Sequence, residues 1–132
     1  MKKIILDTNF LLIPLQFRVD IFSELGRICN FNYRLSVFDS TIGELRNIIE
    51  KQPVKHKKAA QFALKLIKLK NIEILKSEQK DVDKAILGIV GKDIIIATQD
   101  AQLKRELREK GASLIILRQK KYIQLIEGKL YK

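Results

Sequence analysis

Short apolar runs recur along the chain at intervals that suit buried strands. They are rich in Ile, Leu and Val, they are mostly continuous rather than alternating, and they cover residues 3–6, 34–38, 72–75, 94–98 and 113–117. Continuous apolar runs of this length are typical of strands that are covered on both faces of a parallel sheet. The pattern therefore predicts five strands in the interior of the protein.

Between these runs the apolar residues follow a helical spacing instead. The spacing predicts helices over residues 20–28, 41–51, 54–69, 83–90 and 101–110, the last ended by Gly111. For 54–69 we expect a buried stripe and an opposite polar face; the stripe is Ala59, Phe62, Ala63, Leu66 and Leu69, and the polar face is Lys57, Gln61, Lys65 and Lys68. Strands that alternate with helices predict an α/β fold, with one parallel sheet covered on both sides.

The 132 residues suit a single domain, over residues 1–132. Residues 119–132 leave two possibilities open, a small hairpin or an extension packed on the domain. No apolar run approaches the roughly 18 residues of a membrane-spanning helix, so no membrane is expected. Cys29 is the single cysteine, which excludes an internal disulfide and fits a reducing, cytoplasmic setting.

Positive charge is concentrated in one part of the chain. The formal net charge is +11, and residues 51–80 carry nine lysines against two glutamates, whereas residues 1–50 are neutral overall. A clustered basic surface is the electrostatic signature of a polyanionic partner such as RNA. A lysine-rich helix that serves only solubility is the alternative for this segment.

Carboxylates stand where the apolar strands end. Asp7 follows the first strand and Asp100 lies just beyond the fourth, while Glu44 and Asp83 fall near the starts of two predicted helices. Sites in parallel α/β sheets form outside the carboxyl ends of the strands. We therefore expect the four acids to meet at one edge of the sheet.

Each acid also has a purely structural explanation. Asp100 suits the N-cap of the helix that follows it, and Thr41 with Glu44 matches a capping box. Asp81 and Asp83 both suit the positive end of a helix dipole, and residues 7–9 suit a capping turn. These explanations hold singly, but four acids at one edge of one sheet favour a shared function.

Clustered carboxylates repel one another unless a cation neutralises them. Oxygen ligands without His or Cys select Mg²⁺ or Mn²⁺, which act on phosphates. An acidic metal site on a basic protein is the combination that cleavage of a nucleic-acid backbone requires.

Four segments resemble, in order and spacing, the motifs of PIN domains (PilT N-terminus). They are ILDTNFLL, TIGELRNI, DVDKAIL and IIATQDAQLKREL, and together they span nearly the whole chain. The last segment is more similar to the archaeal and eukaryotic ribosomal-RNA-processing branch than to most bacterial VapC toxins, although archaeal chains of this type are often labelled VapC-like.

The resemblance implies a three-layer, Rossmann-like α/β/α sandwich with a mainly parallel five-stranded sheet, and metal-dependent cleavage of single-stranded RNA. It implies that Asp7, Asp83 and Asp100 hold one or two Mg²⁺ (or Mn²⁺) ions and that Glu44 supports a second metal or orients the nucleophile. It also implies polar support from Asn9 and Thr98. Asp81 lies two residues before Asp83, so the third-motif ligand stays open between them, and the apolar residues 85–87 favour Asp83.

The same resemblance implies single-stranded RNA or ribosomal RNA as substrate, an antitoxin or a ribosome-assembly partner, and a homodimer. We expect the lysine face, defined as Lys57, Lys65 and Lys68, to bind RNA phosphates without sequence specificity. A non-catalytic RNA-binding module that uses this face is the alternative function. A dehalogenase-type phosphatase is disfavoured because Asn9 stands where it needs a second Asp, and a receiver domain because residues 1–6 contain no acid.

Overall fold

The computed structural model describes residues 1–131, in which one sheet carries helices on both faces. The sheet has six strands in the order β3-β2-β1-β4-β5-β6. The strands are β1 (Lys2–Leu6), β2 (Tyr33–Phe38), β3 (Glu73–Leu75), β4 (Ile94–Ala97), β5 (Ser113–Arg118) and β6 (Tyr122–Ile126). The helices are α1 (Thr8–Leu11), α2 (Ile13–Phe17), α3 (Ile21–Ile28), α4 (Asp39–Lys51), α5 (Val54–Leu69), α6 (Val82–Ile89) and α7 (Ala101–Glu109), followed by a 3-10 turn at Lys129–Tyr131.

The predicted α/β architecture is confirmed, and the five predicted strands pair in parallel with one another. The sheet has one strand more than predicted. Residues 122–126 of the tail form β6, which pairs antiparallel with β5, so the hairpin is correct for this part of the tail. The Leu130 amide donates to the Gly111 carbonyl at 3.1 Å, so residues 129–131 pack on the domain as an extension, and residue 132 lies outside the described residues. The carboxylate of Glu24 in α3 accepts a hydrogen bond from the Ile123 amide at 3.1 Å, which fastens β6 to the helical layer.

Alternate residues of the central strands reach two separate hydrophobic cores, which explains why the strands read as continuously apolar. Ile4 and Leu6 of β1 point into a core that includes residues of α1 to α5, such as Phe10 and Leu45. Ile5 points to the opposite side, where it packs with α6 and α7. Both faces of such a strand are covered, so the period of two that marks a half-exposed strand is lost.

The predicted buried face of α5 is correct at Ala59 and Ala63 but wrong at Phe62 and Leu69. The residues that α5 buries are Ala59, Ala60, Ala63 and Ile67. Leu69 is 78% exposed and Phe62 is 37% exposed. The small alanines lie under α5 because α4 packs closely against it. The larger apolar side chains, which a hydrophobicity pattern weights most, are displaced toward solvent.

Two short helices follow β1 directly, where the sequence suggested a capping turn. The Asp7 carboxylate caps α1 by accepting a hydrogen bond from the Thr8 amide, so the capping interpretation is confirmed for this residue. Gly111 has the positive φ of 78° that suits its predicted place at the end of α7. No helix among residues 1–131 has the length and apolarity needed to cross a membrane.

Candidate active site

The carboxyl ends of β1 and β4 lie side by side, at the point where the strand order reverses. The chain builds β1, β2 and β3 outward in one direction and then returns to place β4 on the other side of β1. Leu6 pairs with Ala97, and the Asp7 amide donates to the Ala97 carbonyl at 2.9 Å. Helices diverge on either side of such a point and leave a crevice.

Asp7 lies at the floor of this crevice and is only 4% exposed. Its Oδ1 accepts a hydrogen bond from the Thr8 amide at 2.8 Å, and its Oδ2 accepts one from the Thr98 hydroxyl at 2.7 Å. Burial raises the pKa of Asp7 to about 6, against the lowering effect of these two bonds, and the nearby charges of Asp83 and Glu44 raise it further. Within residues 1–131, the fold thus buries this carboxylate without an ion-pair partner.

Thr98 connects two of the acids. Its hydroxyl donates to Asp7 Oδ2 and accepts a hydrogen bond from the Asp100 amide at 3.1 Å. Oδ1 of Asp100 accepts a bond from the Leu103 amide at 2.8 Å, so Asp100 is the N-cap of α7. The cap and a place beside the site are therefore compatible, because capping uses only one of the two carboxylate oxygens.

Asn9 fastens the start of α1 to the end of β4. Its Oδ1 accepts a hydrogen bond from the Gln99 amide at 3.0 Å, and the Gln99 side chain donates to the Asn9 carbonyl at 2.8 Å. These two bonds hold the segments after β1 and β4 at a fixed separation. Asn9 supports the site in this geometric sense.

Glu44 is held by Thr8 and not by a capping box. The helix α4 begins at Asp39, two residues before Thr41, so Glu44 lies in its second turn. The Thr8 hydroxyl donates a hydrogen bond to Oε1 of Glu44. The buried Thr41 hydroxyl has no hydrogen-bond partner among residues 1–131. The capping-box alternative is therefore wrong.

Asp81 and Asp83 occupy different positions. Asp81 is the N-cap of α6, and its Oδ1 accepts a hydrogen bond from the Asp83 amide at 2.9 Å. The Asp83 side chain lines the crevice. Desolvation raises the pKa of Asp83, and the charges of Asp100, Asp81 and Glu44 raise it further. Of the two acids, Asp83 has the geometry of a candidate ligand.

These residues form one cleft of about 380 Å³, which we call the acidic cleft. Its lining residues are Asp7, Thr8, Asn9, Leu12, Glu44, Asn47, Ile48, Asp83 and Asp100. All four acids that the sequence singled out therefore meet there. The roles of Thr8 and Asn47 were not predicted, although Asn47 lies one helical turn after Glu44 and so shares its face of α4.

The lysine face does not border the acidic cleft within residues 1–131. Lys65 and Lys68 are exposed and Lys57 is half-buried. Their contact with RNA stays a prediction.

The donor chemistry of the acidic cleft fits a hard divalent ion. All its charged groups are carboxylates, and no hydrogen bond within residues 1–131 engages the Asp83 carboxylate or Oδ2 of Asp100. The carboxylates do not already form a closed ligand set: within the same residues, no three His, Cys, Asp or Glu side chains stand close enough together to hold an ion. Spacing of this kind is expected of like charges that repel one another before a cation joins them.

Comparison with known proteins gives one family and several relatives. Residues 4–120 match the PIN-like domain family. The chain is 29% identical over 127 residues to Ribonuclease VapC4 of Methanocaldococcus jannaschii, with 95% of this chain and 97% of the relative covered. It is 27% identical over 126 residues to Ribonuclease VapC9 of Archaeoglobus fulgidus, with 93% and 90% covered.

Solved structures show the same fold. The PIN domain endonuclease Utp24 superposes with a TM-score of 0.75 at 26% identity, covering 93% of this chain and 90% of the other. A domain of a functionally unknown protein from Methanocaldococcus jannaschii gives a TM-score of 0.59 at 14% identity, covering 89% and 92%, which is a likeness of fold alone.

Proposed function

The chain belongs to the PIN-like domain family, and we propose that it is a metal-dependent endoribonuclease that hydrolyses phosphodiester bonds of single-stranded RNA. The observation that carries this proposal is the convergence of Asp7, Glu44, Asp83 and Asp100 on one cleft at the switch point of the sheet. The names of the two curated relatives, both ribonucleases, support RNA as the substrate.

Asp7, Asp83 and Asp100 would hold Mg²⁺ or Mn²⁺. A divalent ion supplies Lewis-acid stabilisation of negative charge on the phosphate and on the leaving oxygen, and it makes water a better nucleophile at neutral pH. Asp7 contributes a carboxylate whose orientation is fixed from both sides, by the Thr8 amide and the Thr98 hydroxyl. A carboxylate that is already oriented would hold the metal in place before negative charge develops on the phosphate, so that the site need not rearrange during the reaction.

Glu44 would orient the attacking water or support a second ion. Thr8 holds Oε1 of Glu44 and leaves Oε2 free to face the cleft. Asn9 and Thr98 act through other residues: Asn9 sets the separation of the two strand ends, and Thr98 joins Asp7 to Asp100.

The direct test is cleavage of a mixed-sequence single-stranded RNA by the purified protein with Mg²⁺, with Mn²⁺ or with EDTA. We expect internal cuts with either ion and none with EDTA. Asp83→Asn and Asp100→Asn should abolish cleavage, and each should also reduce the rise in melting temperature that Mg²⁺ gives the parent. RNA binding that ignores Mg²⁺, with no cleavage under either ion, would instead establish the non-catalytic binding module.

Asp100 provides an internal check because Asn is also a good N-cap. If Asp100 serves only as a cap, Asp100→Asn retains both cleavage and the response to Mg²⁺. If it holds the metal, both are lost while α7 stays folded.

The proposed cellular role is either ribosomal-RNA processing or that of a toxin paired with an antitoxin. Induced expression of parent and Asp83→Asn separates these roles: a toxin arrests growth only in its active form, and a small protein that co-purifies and restores growth would be its antitoxin. Chromatography coupled to light scattering tests the expected homodimer.

A further inference from the structure

A second and larger groove opens directly from the acidic cleft. Its volume is about 830 Å³, and it shares Glu44 and Asn47 with the cleft. One wall is the exposed side of α4, and the other is the segment of residues 77–80 that leads from β3 toward α6. We call it the α4 groove. From Ser40 to Glu50 its helical wall is about 15 Å long, at 1.5 Å per residue, which is the length of a few nucleotides.

The α4 groove carries two cations without a partner. Arg46 and Lys80 line it, both are exposed, and neither takes part in an ion pair within residues 1–131. Four acids, Asp39, Glu44, Glu50 and Glu78, line the same groove, but none of them lies within ion-pair distance of either cation in residues 1–131. Arg46 and Lys80 are therefore available to bind the phosphates on either side of the cut. The lysine face, in contrast, lies outside the cleft and outside this groove.

The wall opposite α4 is held in place. Oδ1 of Asp39 accepts hydrogen bonds from the amides of Ser40 at 2.8 Å and of Ser77 at 3.0 Å, so one carboxylate joins the helix to the segment. The Ser77 hydroxyl accepts a further bond from the Gln79 amide at 3.0 Å. The groove therefore has two fixed walls, and the charge of Asp39 is engaged in holding them.

Gly43 keeps the floor of the groove open. It lies inside α4, where glycine is less favourable than alanine. A Cβ atom at this position would meet nothing within 4 Å, so packing in the domain does not require glycine here. The absence of a side chain beside Glu44 leaves room for a strand of RNA that passes close to the helix.

From these observations we infer that the α4 groove binds the single-stranded RNA that flanks the scissile phosphate, with Arg46 and Lys80 on its backbone. No aromatic side chain lines the groove within residues 1–131, which excludes stacking of bases on its described walls. Affinity then comes from phosphates, and the amides of Asn47 and Gln79 are the groups placed to contact bases or sugars. The inference rests on the proposed function for the identity of the ligand.

Two of the acids in the groove allow a test in which RNA affinity should rise rather than fall. Glu50 and Glu78 also line it, both are exposed, and each would oppose a phosphate backbone. Glu78→Gln should therefore tighten RNA binding, while Arg46→Gln and Lys80→Gln weaken it. A groove that does not contact RNA would give neither change beyond the small effect of net charge.

The main experiment compares two double variants that remove the same charge. Binding of a labelled single-stranded RNA is measured by fluorescence anisotropy in EDTA across a range of salt, with the RNA checked for intactness afterwards. For Arg46→Gln with Lys80→Gln, we expect Kd to rise by about tenfold or more and the slope of log K against log salt to fall by about 1.4, at 0.7 per lost contact. For Lys65→Gln with Lys68→Gln, we expect a change of less than about threefold, so on this inference the lysine face is a weaker RNA contact than the α4 groove.

Gly43→Leu tests the groove by shape. Leucine is a good helix former and adds no charge, so the variant should melt no lower than the parent yet bind RNA several-fold more weakly. Gly26→Leu is the matched control, since Gly26 is also helical, open within 4 Å and outside the groove, and it should bind as the parent does.

The binding results can either overturn or confirm that RNA lies in the α4 groove. Equal weakening by the two double variants overturns the inference, because the lost net charge then accounts for both changes. Stronger weakening by the lysine pair overturns it and places the RNA on the lysine face. Binding to the groove by a protein that never cleaves RNA would confirm the inference and refute the proposed catalysis, because the binding assay contains no metal.

Discussion

Asp7 and Glu73 are carboxylates on the same sheet, and the fold treats them in opposite ways. Glu73 of β3 stands within 3.0 Å of Lys3 and 3.3 Å of Arg34 and accepts the Ser36 hydroxyl at 2.7 Å. The bond from Ser36 and the two cations lower the pKa of Glu73 to about 2. Its charge is fully compensated by the protein.

Among the described residues Asp7 has no such compensation, although Lys3 lies only four residues earlier in the same chain segment. Its partners are a backbone amide and a hydroxyl, its charged neighbours are acids, and burial raises its pKa to about 6. One end of β1 therefore carries an ion-pair network that stabilises the fold. The other end carries the negative charge of Asp7, which destabilises the fold until a bound cation neutralises it. Uncompensated charge of this kind is typical of a functional site.

The largest expected difference between the two regions is in activity. Asp7→Asn keeps the shape and the cap but removes a charge that would hold the metal, so RNA cleavage should fall by about 10³-fold or more. Glu73→Gln lies outside the acidic cleft and should leave cleavage within about twofold. Cleavage rates at saturating Mg²⁺ give both values, and comparable losses in the two variants would erase the distinction.

The two carboxylates also predict opposite effects of pH on the metal-free protein. An acid whose pKa is raised by folding binds its proton more tightly in the folded state, so Asp7 should make stability fall as pH rises from about 4 to above 6. A shift of about two pKa units corresponds to about 3 kcal/mol. Glu73, whose pKa is lowered, should make stability fall only as pH drops from 4.5 toward 2.

Urea unfolding in EDTA between pH 4 and pH 8 measures this. Asp7→Asn should remove most of the decline above pH 4 and should be more stable than the parent at pH 7. Glu73→Gln should retain that decline and lose about 0.5–1 kcal/mol at neutral pH, the usual range for partly exposed pairs. A parent protein whose stability does not change between pH 4 and pH 7 would contradict the burial of an uncompensated charge.

The strand ends explain why the sequence predicted the acidic cleft well. Asp7 and Asp100 follow strands that are buried on both faces, and parallel strands bring their carboxyl ends to one edge, so position along the chain translates directly into position in space. The partner of Glu44 was not predictable in this way. Thr41 lies three residues before it and offered a local partner, whereas the actual donor, Thr8, is 36 residues away and reaches it only through the packing of α1 on α4.

The errors in predicting the rest of the fold from the sequence have the same origin. The prediction for α5 was wrong at Phe62 and Leu69 because the closeness of α4 selects small residues such as Ala60 for the contact, whereas hydrophobicity alone favours the larger side chains. The sixth strand was left open because Tyr122–Ile126 alternates between buried and exposed residues at the edge of the sheet, unlike the central strands. The buried face of α5 and the pairing of β6 both depend on which helix or strand packs beside them, and the local sequence does not specify that neighbour.

A smaller effect is expected at Thr98, which stands between the two acids of the strand ends. Thr98→Val keeps the shape but removes the hydroxyl that donates to Asp7 and accepts from the Asp100 amide. Leaving these buried groups unpaired should cost about 1–3 kcal/mol and extend the Asp7-dependent loss of stability to higher pH. Thr98→Ser is the control and should behave as the parent; if Val and Ser give the same unfolding curves, the hydroxyl has no part in holding Asp7.

The smallest expected effect concerns Thr8, whose hydroxyl holds Glu44 at the acidic cleft by donating to Oε1. Thr8→Val should release the Glu44 side chain toward solvent, which costs little because the carboxylate is exposed and water replaces the lost donor, so the metal-free protein should lose less than about 1 kcal/mol. The loss should appear instead in metal affinity, as a Mg²⁺ dependence of cleavage and of thermal stabilisation that shifts to about three- to fivefold higher concentrations. Thr8→Ser restores the hydroxyl and should restore both. A Val variant that melts several degrees lower in EDTA but responds to Mg²⁺ as the parent does would show that Thr8 only supports the packing of α1, and that Glu44 needs no positioning.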